Sequence, residues 1–394
     1  MCFDRDVCVV GGCGRVGLPL GLALATEGLK VTLYDINKQA VAQIQKKEMP
    51  FFETGAQELL EMLSADQFDA STDPLSISKA EVVIVIIGTP VDSHLNPSFD
   101  DFAIFMDELR SHLVDGQLLI LRSTVYPGTT AKTSSILQKS GKRIELAFCP
   151  ERVAEGKALE EFRSLPQIVS GVTTSAQNRA AALFSRLTDD IIMLSPEEAE
   201  LAKLFTNSWR YIQFATANQF FMLAEDRDLD FYKILKAMRW KYPRASGFPG
   251  AGFAAGPCLF KDTMQLAAFS DNSFFLGHSA MLINEGLPNF LVSQLKKDGP
   301  IEDMTAGILG MAFKGESDDP RSSLSYKLKK VLDFNCKRVL CSDPYVEDKD
   351  LAPLERVLQE SDIIVLGAPH KLYRDIEIDP NKTVVDVWNF WRKD

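Results

Sequence analysis

The sequence predicts an α/β protein: two Rossmann-like, doubly wound domains joined by a central helical region that contains one long helix. Three observations carry this expectation. The N-terminal half alternates short apolar runs with alanine- and leucine-rich segments, the texture of buried parallel strands and their crossover helices. Past Pro196, no glycine or proline intervenes until about Ala224. Beyond Lys297-Asp298-Gly299-Pro300 the strand–helix alternation returns. These changes of texture place boundaries at 1–194, 195–298 and 299–394, and 394 residues suit two or three domains.

The first strand is expected at Asp6–Val10. It breaks at Gly11-Gly12-Cys13-Gly14-Arg15-Val16-Gly17 and is followed by a helix reaching Glu27. Val31–Tyr34 is the second strand and closes on Asp35; later strands are Val82–Ile87, Leu118–Leu121, Glu145–Phe148 and Ile168–Ser170. Ser195, with Pro196 at the first helical position and Glu198 three residues on, forms a capping box. The helix that starts there carries Leu201, Leu204, Phe205, Ile212 and Phe220 on one face, widened by Phe214 and Phe221. So broad an apolar surface needs cover on more than one side, so the helix is expected to bridge domains and to form a homodimer interface. Helices follow at Tyr232–Trp240, Lys261–Phe269 and His278–Lys296. The last third has strands at Thr305–Met311, Arg338–Cys341, Ile363–Leu366 and Val384–Val387. Its first loop, Gly310-Met311-Ala312-Phe313-Lys314-Gly315, lacks dinucleotide spacing, as in a Rossmann-like domain adapted to another ligand.

Composition removes several function classes. A net charge of -11 with no basic block argues against a nucleic-acid partner, while leaving room for a small anionic ligand. No apolar run approaches the roughly 18 residues that span a bilayer, so no membrane partner is expected. The chain enters a strand almost at once, so no signal peptide is expected. Seven cysteines show no spaced framework, and Cys8 and Cys13 flank the first glycine turn, where a disulfide would be out of place; a reducing cytoplasm is expected. Four scattered histidines and no zinc-type spacing give no metal site.

Gly12, Gly14 and Gly17 form GxGxxG between a strand and a helix, with Arg15 and Val16 inside it and Asp35 ending the next strand. This context turns a weak pattern into a cofactor site. The glycines allow backbone approach, the helix N-terminus receives the pyrophosphate, and Asp35 accepts both ribose hydroxyls of NAD and repels a 2′-phosphate. In Gly252-Phe253-Ala254-Ala255-Gly256-Pro257-Cys258-Leu259-Phe260-Lys261-Asp262, one thiol stands at a loop-to-helix junction ahead of a Lys-Asp pair. Such a setting favours a nucleophilic thiol, although a lone cysteine at a helix start is more often a packing residue. Lys203 and Asn207 share a helix face at i, i+4, bracketing a substrate or forming a solvated stripe. The loops Ser123–Thr129 and Pro150–Gly156 follow carboxyl ends of strands, where such sheets place ligands. Lys314 with Ser317-Asp318-Asp319-Pro320-Arg321 suits a second diphosphate or a charged surface loop.

The order of these motifs, with Gly88-Thr89-Pro90, Pro150-Glu151-Arg152-Val153 and Ser342-Asp343-Pro344-Tyr345, resembles the UDP-glucose/GDP-mannose dehydrogenase family over nearly the whole chain. The resemblance implies a four-electron oxidation of a UDP-sugar C6 alcohol to a carboxylate with two NAD+. By the same resemblance Cys258 is the nucleophile that forms a thiohemiacetal and then a thioester. Lys203 stabilises oxyanionic character, Asn207 supports it, and Asp262 and Thr124 hold a water. Glu151 is implied as the base or water-orienting group, with Glu155 a weaker relation of it. Thr89 and Pro90 join the NAD site with Thr124 and Arg321; Arg244, Phe253, Gly256 and Lys314 join the sugar-nucleotide site with Glu151, Glu155, Lys203 and Asn207.

Two departures stand out. Ala254-Ala255 replaces the usual glycine pair, narrowing backbone approach to the sugar, and Phe260-Lys261-Asp262 replaces Pro-Lys-Asp. Arg152 and Glu155-Gly156-Lys157 lean toward the branch that handles N-acetylated UDP-hexoses. The competing readings are a two-electron hydroxyacid-type dehydrogenase, which needs neither Cys258 nor the last domain, and a weakly active UDP-sugar-binding homologue.

Overall fold

The computed structural model describes residues 3–88, 99–254 and 256–392. The chain forms two compact units, residues 1–205 and 206–394.

The first unit holds eight strands: β1 (Arg5–Val10), β2 (Val31–Tyr34), β3 (Phe68–Ser71), β4 (Ala80–Val85), β5 (Leu118–Leu121), β6 (Glu145–Phe148), β7 (Gln167–Gly171) and β8 (Ile191–Met193). They lie in the order β3-β2-β1-β4-β5-β6-β7-β8. The chain winds outward from β1 to β3, then returns to β4 on the other side of β1. That reversal leaves a crevice at the carboxyl ends of β1 and β4, the place such sheets offer a ligand. Alternation along β1 serves both faces: Val7 and Val9 enter one core, Cys8 and Val10 the other. The expectation of a parallel sheet holds through β6 and fails at β7, which pairs antiparallel through Ala147 with Gly171 and Phe148 with Ser170. An apolar run carries no direction, so the sequence texture could not separate the two cases.

The second unit contains most of the long helix Pro196–Glu225, which begins in the first. Its 30 residues span about 45 Å. Ser195 N and Oγ both donate to Glu198 Oε2, at 2.8 and 2.7 Å, which is the expected cap. Helices Phe231–Arg239, Leu259–Phe269 and Phe275–Asp298 follow. Then come four parallel strands, β9 (Thr305–Leu309), β10 (Arg338–Ser342), β11 (Ile363–Leu366) and β12 (Thr383–Val385), in the order β10-β9-β11-β12. Phe221, Phe231 and Leu291 of these helices share one core with Ile308 and Val365 of the sheet and with Leu328 of the helix Leu324–Asn335. Along the long helix Leu204 is buried, while Phe205 and Phe220 are 54% and 41% exposed. Among the described residues no helix is long and apolar enough to cross a membrane.

Candidate active site

The three glycines of the fingerprint do different work. A Cβ on Gly12 would lie 2.6 Å from Val9 O and 2.8 Å from Leu33 Cβ, and one on Gly17 would lie 2.7 Å from Gly11 O. Both positions are closed by packing. At Gly14 the nearest atom is 3.6 Å away, and the residue is exposed, so a ligand backbone can approach there. Asp35 steadies the turn: Cys13 N donates to Oδ2 and Asn37 N to Oδ1, each at 3.0 Å. Its half-exposed carboxylate keeps further lone pairs for a ribose. Arg15 lies over the Phe51 ring at 5.2 Å and Val16 caps the helix Gly17–Thr26. A glycine cradle with room at its middle position and an acid at its rim fits NAD. Thr89 and Pro90 lie outside the described residues.

Thr124 is half-buried in the loop after β5. Ser123 Oγ accepts Ile87 N at 2.8 Å, tying that loop to the end of β4. The other end of the loop is held by Glu200 of the long helix. Its carboxylate accepts Gly128 N at 2.7 Å, Thr130 N at 2.8 Å and Thr130 Oγ1 at 2.6 Å. A buried anion thus sits at the N-terminus of helix Thr129–Gln138, one helical turn before Lys203. Lys203 itself is half-buried.

Glu151 lies in a closed set of hydrogen bonds. Oε2 accepts Arg122 Nε at 2.8 Å and Nη2 at 2.6 Å, while Oε1 accepts Arg152 N at 2.6 Å and Val153 N at 2.9 Å. Four donors use the carboxylate's acceptor capacity, and Glu151 is the counter-ion of buried Arg122. Arg122 completes its shell with Gln167 Oε1, Cys149 O and the Phe184 ring. Glu155 is half-buried in the same loop. That loop is anchored by Glu53, which accepts Gly156 N and Ala158 N, each at 2.7 Å.

In the second unit, Cys258 is the N-cap residue of the 11-residue helix Leu259–Phe269, and it is exposed. The other described cysteines are buried: Cys8, Cys13, Cys149, Cys336 and Cys341. Burial pushes the thiols of Cys8, Cys13, Cys149 and Cys341 up to about 12. Only Cys258, among described residues, presents sulfur at the surface and at the positive end of a helix. One turn along, buried Asp262 accepts Asn207 Nδ2 at 2.6 Å through Oδ2. Gly256, at φ +101°, donates to Ser322 O at 3.3 Å, and a Cβ there would lie 2.6 Å from the Phe313 ring.

Phe253, expected to line the sugar pocket, is buried in the core, edge-on to Trp388 at 6.3 Å. Arg244 is exposed in the short turn Pro243–Ala245, bonded through Nε to Tyr242 Oη at 2.9 Å. Lys314 lies over the Phe313 ring at 5.6 Å, in the loop after β9. Arg321, on the same loop, forks onto Asp319 at 2.7–3.0 Å. Ala255 lies outside the described residues, while Ala254 is buried.

The acid that closes β10 shows why this second Rossmann-like sheet serves another ligand. Asp343 Oδ2 accepts Met311 N, Ala312 N and His370 Nε2, and Oδ1 accepts Tyr345 N and Val346 N. Glu316 N donates to His370 Nδ1 at 3.1 Å, so the ring proton is on Nε2. Burial alone would raise the Asp343 pKa, yet the hydrogen bond from His370 and the backbone donors outweigh it and leave about 2. A carboxylate so engaged has nothing left for a ribose. Sequence reading missed Arg122, Glu200 and His370. Of the three, only Glu200 carries a local signal, a carboxylate between Ala199 and Leu201 that marks a buried partner without naming it.

Known proteins share this architecture. The UDP-glucose/GDP-mannose dehydrogenase family's NAD binding domain matches residues 5–188, its central domain 197–285 and its UDP binding domain 307–393. A UDP-N-acetyl-D-mannosamine dehydrogenase of Pyrococcus horikoshii is 30% identical over 385 residues, covering 93% of this chain and 90% of its own length. One from Methanocaldococcus jannaschii is 29% identical, covering 97% of this chain and 90% of its own. The solved structure of UDP-D-ManNAc dehydrogenase from Pyrococcus horikoshii superposes with a TM-score of 0.88 at 28% identity, covering 94% of this chain and 91% of that one. With these matches along nearly its whole length, and with an NAD-binding and a UDP-binding domain in order, the chain belongs to the UDP-glucose/GDP-mannose dehydrogenase family.

Proposed function

We propose that this protein oxidises the C6 alcohol of UDP-N-acetyl-D-mannosamine to the uronic acid, through a thioester on Cys258. One observation carries the chemistry: a single exposed cysteine among the described ones, capping a helix whose buried Asp262 is bonded to Asn207. The choice of sugar is supported by the relatives, which are named for that substrate.

Gly12, Gly14, Gly17 and Asp35 hold NAD, which supplies the hydride acceptor for both oxidations. Lys314 and Arg244 take the nucleotide end of the substrate, while Arg321 joins the NAD site. The Cys258 sulfur adds to the C6 aldehyde and Lys203 stabilises the oxyanion of the resulting thiohemiacetal. Loss of hydride from that carbon leaves a thioester. Water then adds to the thioester and expels the thiol, giving the carboxylate. Thr124 and Asp262 orient that water. With Glu151 committed to Arg122, Glu155 takes the part of the base. A second copy of the chain covers the exposed Trp209, Phe220 and Leu223 of the long helix, and the lack of disulfides among the described cysteines suits a reducing cytoplasm.

The test is stoichiometry. Purified protein with NAD+ is offered UDP-N-acetylmannosamine, UDP-N-acetylglucosamine, UDP-glucose and GDP-mannose in turn. The expected result is two NADH per UDP-N-acetylmannosamine and slower turnover of the others. Cys258→Ala is expected to bind NAD+ and UDP-sugar and to yield no uronic acid. One NADH with release of an aldehyde, or a Cys258→Ala protein at wild-type rate, overturns the thioester reading.

A further inference from the structure

The segment that carries Cys258 enters through Gly252, and the structure gives that glycine an unusual partner. Gly252 N donates to Asn218 Oδ1 at 2.9 Å, and Asn218 Nδ2 donates to Gly252 O at 3.0 Å. The side-chain amide pairs with the backbone as a neighbouring strand would. Its orientation is settled by chemistry, because a flipped amide would oppose N–H to N–H and oxygen to oxygen. The second Nδ2 proton goes to Asn284 Oδ1 at 2.9 Å, and Asn284 Nδ2 donates to Tyr211 O at 3.1 Å. Asn218 and Asn284 are both 0% exposed, so solvent does not replace a lost partner cheaply. Against the other side of Gly252 lies Trp388: a Cβ would come within 2.3 Å of its ring, which is itself held by Nε1 to Gly367 O at 3.2 Å.

Beyond the thiol the same long helix grips again, through Asn207 on Asp262. Asn207 and Asn218 are 11 residues apart, close to three turns at about 3.6 residues each, and so lie on one helix face. One face of one rigid helix therefore holds the cysteine segment on both sides of the sulfur. Asn218 does not touch the reacting atoms in any step described above.

We propose that Asn218, braced by Asn284, is a positioning residue that sets where the Cys258 sulfur stands. The proposal rests on the reading of Cys258 as the nucleophile. Near-attack geometry is lost quickly: a displacement of about 1 Å costs about 100-fold in rate. Asn218→Ala removes both bonds to Gly252. Asn218→Asp keeps the acceptor for Gly252 N–H but turns both donations into repulsions.

The experiment uses the full chain with NAD+ and UDP-N-acetylmannosamine. Both variants are expected to lose about 100-fold in kcat while KM for NAD+ and Kd for UDP stay within about threefold. Amide exchange in peptides covering 250–258 is expected to accelerate in parallel. Should Asn218→Ala fail to fold, Asn284→Ala, which removes the brace alone, is expected to show the same split with a smaller loss. A wild-type kcat per folded molecule, or equal losses in kcat and in both affinities, overturns the positioning role. Cys258→Ala run beside these separates the two failures. Turnover in Cys258→Ala overturns the nucleophile and this proposal together; no turnover there with a wild-type kcat in Asn218→Ala overturns positioning alone.

Discussion

Glu151→Gln asks whether a carboxylate in the candidate site works on substrate or on the protein. Its partner Arg122 has a side chain 0% exposed, and Glu151's own is 11% exposed. Glutamine supplies one carbonyl oxygen where the carboxylate supplied two. Its NH2 must then face either the Arg122 guanidinium or the donors Arg152 N and Val153 N, so donor meets donor in both rotamers. Breaking a buried ion pair costs about 3–5 kcal/mol, a large part of the about 5–15 kcal/mol that keeps a domain folded. Arg122 retains Gln167 Oε1 at 2.9 Å, Cys149 O at 3.2 Å and the Phe184 ring at 4.4 Å, which places the loss near the low end, about 3 kcal/mol. Urea unfolding followed by far-UV circular dichroism is the assay. Tryptophan fluorescence is unsuitable because all four tryptophans, 209, 240, 388 and 391, belong to the second unit. At a slope of about 2 kcal/mol per molar, the midpoint of the first unit falls by about 1 M or more. Glu155→Gln is expected to slow turnover with little change in that midpoint. An unchanged midpoint in Glu151→Gln together with lost thioester hydrolysis refutes the counter-ion argument.

Two other buried carboxylates give further expected outcomes. Glu200→Ala strands Gly128 N, Thr130 N and Thr130 Oγ1 at a buried helix start, and is expected to cost about 2 kcal/mol in urea unfolding, with Glu200→Gln recovering about half; a wild-type midpoint in the alanine variant contradicts the cap. Asp343 has a folded pKa of about 2 against an ordinary 3.8. A depressed folded value means its stabilisation is present above about pH 4 and is lost as pH falls toward 2, amounting to about 2 kcal/mol. Asp343→Asn is expected to flatten that limb of the stability–pH curve, and an unaltered acid limb contradicts the assignment.

Local signals in the sequence were read well because their physics is local. The capping box at Ser195 needs only residues three apart, and the glycine turn needs only its own backbone and the acid that follows β2. Strands β5 and β11 fall on unbroken apolar runs of four, Leu118–Leu121 and Ile363–Leu366. Pairings that depend on distant residues were not legible. Glu151 carries no mark of Arg122, and Gly252 none of Asn218, until the fold brings them together. The direction of a side chain was equally hidden, so the packing of the Phe253 ring against Trp388 was not legible. For β7, hydrophobicity described the burial and left the sense of the strand open.

The saturated carboxylate of Asp343 also sets a limit on redesign. Transplanting a GxGxxG turn into the loop after β9 would recreate the cradle seen after β1, but no ribose could dock beside it. The receiving acid would still be claimed by five donors, and freeing it would release His370 and, through Glu316, the loop that carries Lys314. The exchange of one nucleotide for the other is therefore guarded at the end of β10, by a lock whose removal dismantles the site it protects.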